Sequence, residues 1–235
     1  MAIDDLPLPV VNFLNVIGVP WPYLDEDEVA RFATFVRQFA TAVQTTHDDA
    51  TRTVADLAGA YRGSATDAMT SGWAKLSARH VDELVDGCHV LADALDVAAG
   101  YIVAQKAEAV AVLIGMAAAF VADQAAAVAT LGVAEAAVPV IIEGAERLVK
   151  SLIMDLEQHL IGQVIEAAAK PLFAKIEHAF SGLDWSRSGA QVDEPDGISL
   201  DAPAALDHII RLQTHADTMR GHGTQFSTAI ASLGF

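Results

Sequence analysis

The chain has 235 residues, 53% of them hydrophobic and 19% charged, with a formal net charge of -17. This composition excludes a disordered chain. The acidity, with no Lys/Arg cluster to offset it, excludes binding to nucleic acid and opposes docking on anionic lipid.

The apolar residues are mostly Ala and Val rather than aromatic, which favours close-packed helices over a β-sandwich. One cysteine, Cys88, rules out an internal disulfide. It falls on the apolar side of a helical pattern and reads as an inert core residue.

Residues 1–24 form a Pro-punctuated leader, in which Pro7, Pro9, Pro20 and Pro22 forbid a long helix. Acids stand where a cleavable signal needs a basic stretch, so export by the general secretory route is not expected. Trp21 and Tyr23 are expected to pack down at the start of the first helix.

That helix is predicted from about Asp25, where the acids of DEDE suit the positive end of a helix dipole. Val29, Phe32, Val36, Phe39, Val43, Ala50, Val54, Leu57 and Tyr61 then recur in steps that put them on one stripe. At YRGSATD, Gly63 permits a reversal, and Ser64 with Asp67 reads as a helix cap. A second stripe runs from Met69 and Trp73 through His80, Cys88, Leu95 and Ile102. Two long amphipathic helices joined by so short a turn are expected to lie antiparallel.

Residues 107–145 are almost wholly Ala, Val, Leu and Ile. The unbroken run at 109–122 is shorter than the roughly 20 residues of a span, so the expectation is a buried central helix, with triggered insertion left open. A turn is expected near Gly132. Another helix follows at about 136–180, kinked or divided at Pro171. Residues 181–203, rich in Ser, Gly, Asp and Pro, read as a linker anchored by Trp185, and a C-terminal helix occupies 204–235. The predicted fold class is therefore all-α: a long antiparallel helical hairpin, its turn near 61–64, within an elongated helical bundle at 25–180.

Chemistry is scarce. None of the eight histidines forms a zinc signature. His208, His215 and His222 are seven apart, two helical turns each, and cannot close on one ion. They read as a polar stripe, with a pH-sensitive contact as the remaining option. No nucleophile elbow or phosphate loop occurs. No catalytic residue, metal or cofactor is implied, and the chain is not expected to be an enzyme.

From PWPYLDEDEVARFATFVRQFATAV through YRGSATDAMTSGWAKL, the chain resembles the Trp-x-Gly-like N-terminal helical domains of actinobacterial secreted toxins, substrates of type VII secretion. It is similar to the channel domain of the tuberculosis necrotizing toxin. The likeness runs over about residues 18–180. Tyr61, Arg62 and Gly63 stand at the Trp-x-Gly turn, with Tyr61 in place of Trp. Ala65, Ala68 and Met69 match the small and apolar positions after it, and Trp73 follows one turn on. The resemblance makes Tyr61, Gly63, Ala65, Met69 and Trp73 the interaction or secretion motif. A Tyr-x-x-x-Asp/Glu export signal fails at Tyr101, because position 105 is Gln105. Tyr23 and Asp27 have the spacing in another place.

The implied role is a non-catalytic secretion substrate, or a delivery and interaction domain of a toxin, completed by a protein partner such as a second helical hairpin or the secretion machinery. Such a domain normally precedes a toxin domain. Export would take it from the cytoplasm to the cell envelope or beyond. The alternatives are a membrane-inserting, channel-like domain and an intracellular helical module that binds a partner.

Overall fold

The computed structural model describes residues 6–76, 80–129, 137–181 and 199–234. The expected turn near Gly132 and most of the expected linker, Trp185 included, lie outside the described residues. The fold is all-α. Helices α1 (Leu8–Ile17), α2 (Glu26–Ala60), α3 (Ser64–Leu76), α4 (Asp82–Ala129), α5 (Val138–His159), α6 (Lys170–Ser181) and α7 (Ala202–Ala231) are joined by a π-helical stretch (Leu160–Ala169) and two dipeptide strands, β1 (Tyr61–Arg62) and β2 (Ser199–Leu200). The chain divides into two compact units: Met1–Arg31, Ala94–Glu166 and Gly234–Phe235 in the first, and Phe32–Asp93 with Ala167–Leu233 in the second.

In the first unit the leader is not free of helix. Pro7 precedes α1, where a missing N–H costs nothing. The helix ends after ten residues at Gly18, whose φ of 72° only glycine adopts freely. Val10, Phe13 and Leu14 are buried, and the Phe13 ring meets Phe120 of α4 at 5.4 Å. Trp21 packs down as expected, but Tyr23 is 88% exposed. A phenol keeps its hydroxyl hydrated at the surface, so nothing forces the ring inward.

Helices α4 and α5 run antiparallel in this unit. Tyr101 stacks on His159 with ring centroids 3.8 Å apart, and Met116 lies 3.4 Å from the position a Cβ on Gly144 would take. Ala145, Val149, Leu152 and Leu156 give α5 its buried face. The expected division near Pro171 takes the form of a π-helical stretch that ends two residues before it. Proline donates no N–H and crowds the carbonyl four residues back, and a widened helical turn relieves that clash.

The wholly buried central helix is not what the structure shows. Helix α4 buries Ala109, Val110, Leu113 and Ala117 on one side, while Val103, Ile114 and Val121 on one flank of that side and Val112 on the other flank are exposed. Its most apolar 18-residue window has a mean hydropathy of 1.8 and is only 17% buried. Periodicity could not warn of this, because a helix apolar on all sides shows no preferred face.

In the second unit, Ala33, Val36, Ala40, Val43, Ala50, Val54 and Leu57 form the buried seam of α2. The expected aromatic positions Phe32 and Phe39 are half-buried beside it, because alanines occupy the closest contacts. Helix α4 contributes Val85, Cys88, Leu91 and Ala92, and Arg37 of α2 donates to Asp93 at 2.6 Å. Gly87 lets Leu172 approach closely: a Cβ at that position would lie 2.6 Å from Leu172 Cδ1, and the leucine would have to shift.

Candidate functional site

The hairpin turn is built from its backbone outward. The carbonyl of Gly63 accepts from Thr66 and Asp67, at 3.0 and 3.3 Å. Gly63 rather than Ser64 therefore occupies the cap position of α3. A Cβ on Gly63 would stand 3.5 Å from the Tyr61 hydroxyl oxygen, so the tyrosine folds over the glycine. Tyr61 and Arg62 also pair antiparallel with Leu200 and Ser199, and Ala60 accepts from Asp201 N at 3.0 Å. This small ladder gives the expected loop segment a defined docking point, which no strand-length pattern in the sequence announces.

Trp73 stands one helical turn beyond Met69, as the spacing predicts. It lies about three turns along α3, where its indole stacks on His47 of α2 at 5.5 Å and its Nε1–H donates to Thr51 Oγ1 at 2.9 Å. Met69 is half-buried on the same helix, and the side chain of Ala65 lies outside the described residues. The motif residues thus fall into two places. Tyr61 and Gly63 form the tip, and Trp73 clamps α3 to α2 well below it.

Helix α7 completes the Trp73 site. Two of the three histidines of its polar stripe find partners on α2: His215 Nε2 lies 3.1 Å from Thr53 Oγ1, and His222 Nε2 lies 2.9 Å from Thr46 Oγ1. Phe226 stacks on Phe39 at 4.6 Å. The pairs run in opposite directions along the two helices, so α7 lies antiparallel to α2. A cavity of about 270 Å³ remains among His47, Trp73, Leu212, His215 and Met219. Sequence reading missed the threonines. The signal was present, because Thr46 and Thr53 repeat at the same seven-residue interval as His215 and His222.

The first unit holds a second feature the sequence did not announce. Lys106 is 1% exposed, and its Nζ donates to Glu26 Oε2 at 2.9 Å and to the carbonyl of Leu24. Glu26 opens α2 behind its cap Asp25, which accepts from Asp27 N at 2.9 Å. The residue read only as a dipole-complementing acid is therefore one half of a buried ion pair. Cys88 is buried, as expected, and burial pushes its thiol up to about 11. No cluster of three or more potential metal ligands occurs among the described residues.

This architecture, a 35-residue helix and a 13-residue helix reversing at a glycine with an aromatic folded over it, agrees with the comparison to known families. The WXG100-like domain matches residues 5–144, more than half of the chain. The chain belongs to that family. Members are non-enzymatic helical proteins of type VII secretion, so this WXG100-like chain is a type VII secretion-related helical protein. The match begins ahead of α1 and ends within α5, which leaves α6 and α7 outside the family's boundaries. No curated protein and no solved structure matches the chain significantly.

Proposed function

We propose that this WXG100-like chain is a non-catalytic type VII secretion substrate, or the delivery and interaction domain of a secreted toxin, and that a helical protein partner covers the exposed face of α4. The observation that carries this reading is the exposure of Val103, Val112, Ile114 and Val121 along one helix of a WXG100-like domain. Val103, Ile114 and Val121 fall on one stripe of α4, with Val112 on its opposite flank, and an exposed apolar stripe marks an interaction site. Tyr61, Gly63, Ala65, Met69 and Trp73 serve as the interaction and secretion motif, the tip and the clamp presenting the hairpin to its partner. The test is export of the tagged chain from a type VII-competent actinobacterium, compared with the same strain lacking the motor ATPase. The combined substitution Val112→Lys, Ile114→Lys and Val121→Lys is expected to leave the fold intact and to abolish motor-dependent export. Export of that variant at the unsubstituted level would contradict the assignment of α4.

One observation favours a second reading, insertion of α4 into a membrane. This helix is long and apolar enough to cross one. Glu108 and Asp123 oppose insertion unless they face water. Release of dye from liposomes between acid and neutral pH supports this reading, and intact liposomes throughout that range remove it.

A further inference from the structure

The first unit holds a cavity of about 420 Å³, within the size range of small-molecule sites, and the secretion reading does not use it. One wall is the segment between Gly18 and α2, where Pro20 and Pro22 flank Trp21 and restrict its backbone. The indole of Trp21 is buried, and its Nε1–H has no acceptor, so packing alone fixes the ring. The opposite wall is α5 and the turn after it, with Ile153, Leu156 and Leu160. The walls are apolar and set before any ligand arrives.

Two groups at this cavity face water. Tyr23 is 88% exposed, and Glu157 is exposed on α5. Glu157 is the one carboxylate among the described lining residues. Its helical neighbours at three and four positions either side are Ile153, Met154, Leu160 and Ile161, so its own helix offers it no cation. Its carboxylate pairs with no Lys or Arg among the described residues.

We propose that this cavity binds a small amphiphile, an alkyl chain carrying an ammonium head. The chain lies against Trp21, Ile153 and Leu156. The head is recognised by the Glu157 carboxylate and the exposed Tyr23 ring, since a carboxylate complements the charge and an aromatic face attracts a cation. An anionic amphiphile of the same length meets a lone carboxylate and is rejected.

The test uses the full chain with Trp73→Phe and Trp185→Phe, which leaves Trp21 as the only indole of the three. Its fluorescence is titrated with decyltrimethylammonium below the micelle concentration, in about 0.15 M salt so that the net charge of -17 is screened. The expected result is saturable one-to-one binding, weakened about tenfold by Glu157→Gln. Decanoate and decyl maltoside are expected to bind more weakly than the ammonium compound. Glu143→Gln removes the same charge from α5 at an exposed carboxylate already paired with Arg147, and is expected to leave binding unchanged. Equal effects of Glu157→Gln and Glu143→Gln, or a signal that never saturates, would overturn the proposal. Export is not part of the readout, so this site and the secretion reading fail separately.

Discussion

Lys106 occupies a seam position of α4 in step with Val85, Ala92, Ala99 and Leu113, spaced seven residues apart and all buried, and it alone of the five carries a charge. Replacing it removes the partner of a carboxylate that is itself only 6% exposed. Breaking such a pair leaves a buried charge uncompensated, whereas replacing both members by apolar groups removes the charge altogether. Lys106→Met alone is expected to cost about 3–5 kcal/mol of unfolding free energy. Lys106→Met with Glu26→Leu is expected to recover most of that loss, as read from urea denaturation. Additive losses in the double variant would show that the pair does not fasten α4 to the start of α2. The seven-residue spacing was legible in the sequence. The partner was not, because it stands 80 residues away and reads locally as an ordinary first-turn acid. Cys88 was legible as a core residue. Its thiol is raised from 9.0 to about 11 by burial. In the unfolded chain it ionises first, so its contribution to stability is complete below pH 9 and is lost as pH rises from 9 towards 11. The stability difference between the protein and Cys88→Ala is expected to narrow between pH 8 and pH 10.5 in guanidinium melts. A constant difference would place the thiol in water.

At the scale of elements, the antiparallel pairing of α2 with α7 rests on two His–Thr contacts and one aromatic stack. A double-mutant cycle of Thr53→Val and His215→Phe is expected to give a coupling of about 1 kcal/mol, the net worth of one such hydrogen bond. A coupling near zero would reduce the contact to proximity. The helices α2 and α7 were readable because their apolar residues recur in threes and fours, and the turn at Gly63 was readable because glycine interrupts that pattern; the second stripe, read as one long helix from Met69 to Ile102, is carried by two helices, α3 and α4. The ladder was not read because threonine and histidine fall outside an apolar count, although their matching intervals encode it. The place of Trp73 on the helix after the turn was legible, but its partners His47 and Thr51 were not, because they lie more than 20 residues away on α2. The exposure of one side of α4 is a tertiary fact, decided by how many helices are available to cover it.

For the molecule as a whole, the family assignment and the exposed residues of α4 both support the proposal that a partner completes this helical protein. The substitutions Val112→Lys, Ile114→Lys and Val121→Lys lie at exposed positions, and each is expected to change folding stability by no more than about 0.5 kcal/mol. A thermal melt of the triple variant with a large loss would instead mean that this face is already buried in solution, by a second copy. The central claim is export, and the most direct measurement follows the tagged chain in the culture medium of a type VII-competent actinobacterium with and without the motor ATPase. The account expects the chain in the medium only when the motor is present. Retention in the cells of both strains would contradict it, and would leave an intracellular helical module that binds its partner through the same face of α4.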